Sequence, residues 1–122
     1  MAVPFRTLNM YQGQDFTTEI EFVEGDTGLP IDMTGRSARM QARTSIEAPE
    51  AVLSLSTDLG TIVLAGGVLR FQVPAMVTAM LGGHDVEQWV FDVELVTPGP
   101  TESVRRILTG VIVFWPEITR VE

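Results

Sequence analysis

Along this chain apolar and polar residues alternate in short runs, and glycine, proline and acidic residues separate one run from the next. The clearest early run is Asp15–Val23, where Phe16, Thr18, Ile20 and Phe22 share one side and Thr17, Glu19 and Glu21 the other. A period of two sends successive side chains to opposite faces of a strand, so this run predicts a half-buried strand. The alternation recurs over Arg36–Arg43, with Ala38, Met40 and Ala42 opposed to Arg39, Gln41 and Arg43. It is strongest over Glu87–Val96, where Trp89, Phe91, Val93 and Leu95 oppose Asp92 and Glu94. Further strands are predicted at Phe5–Tyr11, Ala51–Ser56, Thr61–Leu64, Val68–Val73 and Ser103–Trp115, the last stopped by Pro116 and marked at Gly110 by a bulge or a close approach.

The punctuation between runs is equally regular. Glu24–Gly28, Thr57–Gly60 and Pro98–Pro100 predict turns, Pro30–Gly35 a short extended piece, Ser45–Glu50 a loop, and Ala65-Gly-Gly67 a glycine-closed hairpin. One stretch is helical: Pro74 suits a first helical position and Gly82-Gly83 a stop, so Pro74–Leu81 predicts a short connecting helix. Seven or eight short antiparallel strands with turns every 8–12 residues predict an all-β sandwich or small barrel. The two long C-terminal strands should pair, with Trp89, Phe91, Ile107 and Val113 pointing inward. A length of 122 residues supports one domain with one core, and residues 117–122 are expected to be a mobile tail.

Charge narrows the partners. The net charge is −8, every basic residue is arginine, and the arginines are scattered, which argues against a nucleic-acid backbone as partner. There is no cysteine, so disulfides, zinc ribbons and thiol nucleophiles are excluded. No apolar run approaches the ~20 residues a bilayer span needs, and Met1–Arg6 lacks an apolar signal core, so the expectation is a soluble, unprocessed chain with no membrane partner.

Candidate chemistry is sparse. The one histidine, His84, sits in Gly82-Gly83-His84-Asp85, but no nucleophile or third group is in evidence for it to activate. Glu24 and Asp26 miss the spacing of a calcium loop. The acidic pairs Glu19/Glu21 and Asp92/Glu94 fall on alternate strand positions, which predicts solvated rows paired with Arg39 and Arg43 across strands. Gly66-Gly67 and Gly82-Gly83 lack the lysine of a phosphate loop. The expectation is therefore a protein without catalytic residues, metal, cofactor or small-molecule substrate. What remains is surface for protein contact: Phe114, Trp115 and Val90 lie where both faces of the last strands are apolar, which places them either in a core corner or at an interface. Phe114, Trp115, Arg105, Arg106 and the loop Gly82, Gly83, His84, Asp85 are the candidate contact residues.

An ordered series of segments carries a resemblance. Gln12-Gly-Gln-Asp-Phe16, Gly28-Leu-Pro-Ile-Asp-Met-Thr-Gly35, Ala38-Arg-Met-Gln-Ala-Arg43, Leu55-Ser-Thr-Asp58 and Thr61-Ile-Val-Leu64 come first. Val77-Thr-Ala-Met-Leu81, Trp89-Val-Phe-Asp-Val-Glu-Leu95, Arg106-Ile-Leu-Thr-Gly-Val-Ile-Val113 and Pro116-Glu-Ile-Thr-Arg120 follow. Together they resemble a family of small bacteriophage and prophage tail proteins, similar to the N-terminal domain of phage baseplate upper proteins. The resemblance implies an immunoglobulin-like sandwich and no catalytic residue. Because the chain ends at the sandwich, without a stalk or receptor-binding segment, it implies a separate virion protein docked at the tail, baseplate or fibre attachment. Its partners would be other virion proteins, in several copies on a symmetric ring, after assembly in the bacterial cytoplasm. A capsid decoration or head–tail connector protein fits the same sandwich. A carbohydrate-binding module would need exposed aromatics, for which Trp89 and Trp115 are the candidates.

Overall fold

The structure, a computed structural model, describes residues 3–119. Among these residues eight strands form: β1 (Phe5–Tyr11), β2 (Phe16–Glu21), β3 (Ser37–Arg43), β4 (Leu53–Ser56), β5 (Ile62–Ala65), β6 (Val68–Val73), β7 (Glu87–Thr97) and β8 (Ser103–Trp115). A single helical turn, α1 (Ala75–Thr78), lies between β6 and β7, with Pro74 just outside its first turn as the cap residue. The 30–35 segment forms no strand. It makes one bridge, Val23 to Pro30, and then a turn in which the Asp32 carboxylate accepts the Thr34 backbone N–H at 2.9 Å. That hydrogen bond holds the Asp32 carboxyl below its ordinary value.

Two sheets pack face to face, with strand orders β1-β8-β7-β3-β4 and β2-β6-β5. The second, sixth and fifth strands thus oppose the eighth, seventh, third and fourth, which is the immunoglobulin arrangement with one extra strand beyond the third. The fold is an immunoglobulin-like β-sandwich. All pairings are antiparallel except one: β1 runs parallel to β8, with Thr7 beside Val111. Because parallel neighbours need a long crossover, the first and last strands of the chain are the natural pair to meet this way.

The core is the inward row of each strand, and its largest fully buried side chains are Trp89, Phe71, Phe114, Met10 and Met40. Trp89 stacks on Phe114 with ring centroids 4.7 Å apart. One expectation reverses here and one alternative is decided. Val113 was expected inside and is only half-buried, whereas Phe114, placed in a core corner or at an interface and named as a candidate contact residue, is fully buried in the core. The cause is a bulge: Val93 pairs with Leu108 and Glu94 with Arg106, so Ile107 is an extra residue in β8. Ile107 and Leu108 are both buried, and the alternation changes phase between them.

Gly110 is a point of close approach. A Cβ there would run into the Arg6 carbonyl of β1 and lie 2.9 Å from the Phe91 ring. At the far end of the sandwich, side chains tie three segments together. Gln12 donates to the Leu81 carbonyl at 2.9 Å and accepts the Glu117 N–H at 2.8 Å. The buried Thr78 hydroxyl donates to the Gln14 carbonyl at 2.9 Å and accepts the Gly13 N–H at 3.1 Å. Asp15 accepts the Ala75 N–H at 2.8 Å, so the helical turn is capped by the β1–β2 connection. Glu117 is accordingly anchored rather than part of a loose tail, and residues 120–122 lie outside the described residues.

Two outcomes follow from this packing. Gly110→Val should lower stability by about 2 kcal/mol or more, because the overpacked Cβ meets backbone that cannot move without shifting β1; an unchanged urea midpoint would refute the close seating. Gly82 has φ +61° and a Cβ there would sit 2.5 Å from the Phe114 ring, while Gly83 has open space. Gly82→Ala should therefore cost about 1–3 kcal/mol and Gly83→Ala less than about 0.5 kcal/mol, and equal melting shifts for the two would contradict the structure.

Candidate functional site

The phase change at Ile107 decides which side chains β8 presents on the outer face of the five-stranded sheet. Beyond the bulge these are Thr109, Val111, Val113 and Trp115, and β1 sets Phe5, Thr7, Asn9 and Tyr11 beside them in register. The pairing builds rows across the sheet. Tyr11 lies beside Trp115; Asn9, Val113 and Gln88 share a row; Thr7, Val111, Val90 and Arg43 share the next. Phe5, Thr109, Asp92, Gln41 and Ser54 follow, and then Arg106, Glu94, Arg39 and Ser56.

The face is therefore divided. Its β1–β8 half is uncharged and mostly apolar, with Phe5, Tyr11, Val111, Val113 and Trp115 set among Thr7, Asn9 and Thr109. Trp115 is 41 % exposed and Tyr11 46 %, and their rings are nearly parallel, 15° apart, with centroids at 6.3 Å. The Trp115 indole N–H donates to the Asn9 side-chain carbonyl at 3.1 Å, which holds the ring in place. Phe5, 60 % exposed, stands at the other end of β1. The β7–β3 half is charged: Arg39 binds Glu94 at 2.8 Å and Arg106 binds Asp92 at 3.3 Å. The hydrogen bond from Arg39 to Glu94, with the carboxylate charge, raises the guanidinium above its ordinary value, so this arginine stays charged at every working pH. Both pairs are solvent-exposed, so water and salt screen them. A shallow trough on this face is lined by Arg39, Arg43, Asp92, Glu94 and Arg106 together with Phe5, Val90 and Val111.

The acidic rows find partners, though not all those expected. Arg39 takes Glu94 as anticipated and Glu19 faces Arg70 at 4.0 Å, but the partner of Asp92 is Arg106. Arg43 instead donates to the Ala48 carbonyl and the Gln41 side chain.

The sequence-predicted contact residues divide into four groups. Trp115 and Arg106 lie on the outer face, at opposite ends of β8. Arg105 is exposed beside Leu95 near the start of the same strand. The Gly82–Asp85 loop belongs to the Trp115 end, where β7 begins. Its Gly82 packs on the Phe114 ring, the Gly83 N–H donates to Glu87 at 3.3 Å, and His84 lines a shallow depression with Met76 and Glu117. At ~3.3 Å per residue, about 30 Å of strand separates Arg106 from Trp115, so the loop and the arginine pair do not form one patch. Phe114 drops out altogether: buried against Trp89, it offers nothing to a partner. Tyr11, Asn9, Phe5, Val111 and Val113 belong to the face and were missed. The period of β1 could have found the first three, but the phase of β8 could not be read without the bulge. Among the described residues, no three His, Asp or Glu side chains converge as metal ligands.

No protein-family model matches the sequence, and no curated protein matches it. Among solved structures, the chain is similar to the extracellular domain of the voltage-gated sodium channel beta4 subunit, described as forming parallel homodimers with a role in cell–cell adhesion. The identity is 8 %, the overlap covers 97 % of each chain and the TM-score is 0.36. At that level the likeness adds nothing to the assignment, and the immunoglobulin-like fold rests on the strand order and pairing given above.

Proposed function

We propose that this protein is a structural component of a bacteriophage particle, held at the tail, baseplate or fibre attachment by contacts through the outer face of its five-stranded sheet. The observation that carries the reading is the exposed apolar half of that face. Tyr11 lies beside Trp115, half-buried Val113 and Val111 continue the row along β8, and Phe5 stands diagonal to Val111, all on strands and not on loops. A contiguous apolar surface of this kind marks an interaction site, because covering it removes apolar area from water at about 25 cal/mol per Å². The charged half serves registry rather than strength. Arg39–Glu94 and Arg106–Asp92 present both signs in a set order, so a partner must match them or leave a charge unpaired.

The phage assignment is supported by the ordered motifs quoted above, which run through nearly the whole chain, and by the sandwich they imply. Several copies on a symmetric ring would repeat the same face toward each neighbour. A second reading draws on one observation, the Tyr11–Trp115 pair, since exposed flat aromatics suit stacking on a sugar ring. Binding on a glycan array that is lost in Trp115→Ala would favour it over protein docking.

The decisive sample is the particle itself. Mass spectrometry of purified virions from a host carrying the gene should find this chain at a constant ratio to the tail proteins, and virions without it would refute the proposal. Val113→Glu, at a half-buried position of the face, should change stability by less than about 1 kcal/mol and yet remove the chain from the particles.

A further inference from the structure

Among the described residues four strand edges are open: β1 and β4 in one sheet, β2 and β5 in the other. Open edges expose unpaired backbone groups, and proteins protect them with brevity or charge. β4 and β5 are four residues each, and β2 carries Glu19 and Glu21. β1 is the least protected of the four: at seven residues it is the longest, it holds no acid in a chain of net charge −8, and Arg6 is its one charge.

The backbone of β1 is also organised for pairing. The Thr109 N–H donates to the Pro4 carbonyl at 3.0 Å and the Gln12 N–H to the Trp115 carbonyl at 2.9 Å. In a parallel ladder each residue directs both its groups to one side and successive residues alternate. Residues 4, 6, 8, 10 and 12 therefore face β8, and Phe5, Thr7, Asn9 and Tyr11 turn their N–H and C=O groups toward the open edge. The Tyr11 carbonyl accepts the Gln14 N–H, which leaves its N–H to offer.

We infer that the β1 edge pairs with the β1 edge of a second copy, antiparallel about a two-fold axis through Leu8. This register opposes Phe5 to Tyr11 of the second copy and Thr7 to its Asn9. All of these are edge-facing residues, so they fall on hydrogen-bonded pairs of the ladder. It uses the whole of β1 and makes two aromatic cross-strand pairs on the exposed face. Arg6 falls opposite Met10. An axis through Arg6 would set two guanidiniums against each other, and one through Thr7 would leave Tyr11 without a partner in β1. The strand is thus self-complementary over its full length in one register, and the product is a continuous ten-stranded sheet. The pairing is independent of whether the protein belongs to a particle.

Light scattering across a series from micromolar to millimolar protein should show the mass rising from 13.4 kDa toward twice that value. Over the same series the amides of Thr7 and Asn9 should become protected from hydrogen exchange. Thr7→Pro removes an N–H that faces the edge and none that β8 uses, so it should weaken self-association at least about tenfold while the near-ultraviolet circular dichroism stays native. Phe5→Glu, at an exposed position, provides a second variant should the proline cost the fold, and it too should weaken the pair about tenfold. A monomer at every concentration overturns the inference, as does a dimer that persists undiminished in the folded variants or one that protects β2 or β4 amides in place of Thr7 and Asn9.

Discussion

Over the stretch where they pair, β8 has one residue more than β7, and that residue decides the character of both faces of the larger sheet. Ile107 has no partner opposite it, and from Leu108 onward the side chains of β8 exchange sides. That shift puts Phe114 against Trp89 in the core and leaves Val111, Val113 and Trp115 outside. Had the strand kept its phase, the apolar row now on the surface would be the core row, and Leu108, Gly110, Ile112 and Phe114 would face solvent. A bulge in an antiparallel pair displaces a strand by a single residue, yet its effect reaches the end of the strand because the side-chain period is two.

β1 depends on the same shift. With Gly110 turned inward, the Arg6 carbonyl can seat where a side chain would otherwise stand, and the first strand lies close enough to complete the sheet. Its register then brings Tyr11 beside Trp115 and Asn9 within reach of the indole N–H. The far end is fastened separately, by Gln12, Thr78 and Asp15, which join the β1–β2 connection to the helical turn and to Glu117. β1 is thus held along its length by backbone pairing and at its end by side chains.

The sandwich was legible in the sequence because its strands alternate cleanly where both neighbours are regular. Asp15–Val23, Arg36–Arg43 and Glu87–Val96 read correctly, as did the hairpin at Gly66-Gly67 and the helical connector. What failed to read was local to β8. Ile107-Leu108 and Val111-Ile112-Val113-Phe114 are apolar at every position, so nothing in the pattern distinguishes one phase from the other. Only the partner strand reveals the extra residue. The same ambiguity made Phe114 look like a contact residue and hid Val113. The parallel placement of β1 was hidden for a different reason, since alternation reports which face a side chain takes and is silent on strand direction.

The outer face and the β1 edge draw on the same residues in different directions. Phe5, Thr7, Asn9 and Tyr11 send their side chains off the sheet and their backbone groups along it, at right angles to one another. A partner lying on the face and a strand added at the edge therefore do not compete for the same atoms. Pairing at the edge would instead extend the face, because the aromatic row of one copy would meet that of the other across the shared axis. Apolar docking surfaces gain from width, since burial scales with area while the entropy of association is lost once per partner. A sandwich that offers a narrow apolar half-face as a single copy would offer a doubled one as a pair, with Trp115 at its two outer corners and the ion-paired rows of Arg39 and Arg106 as its flanks.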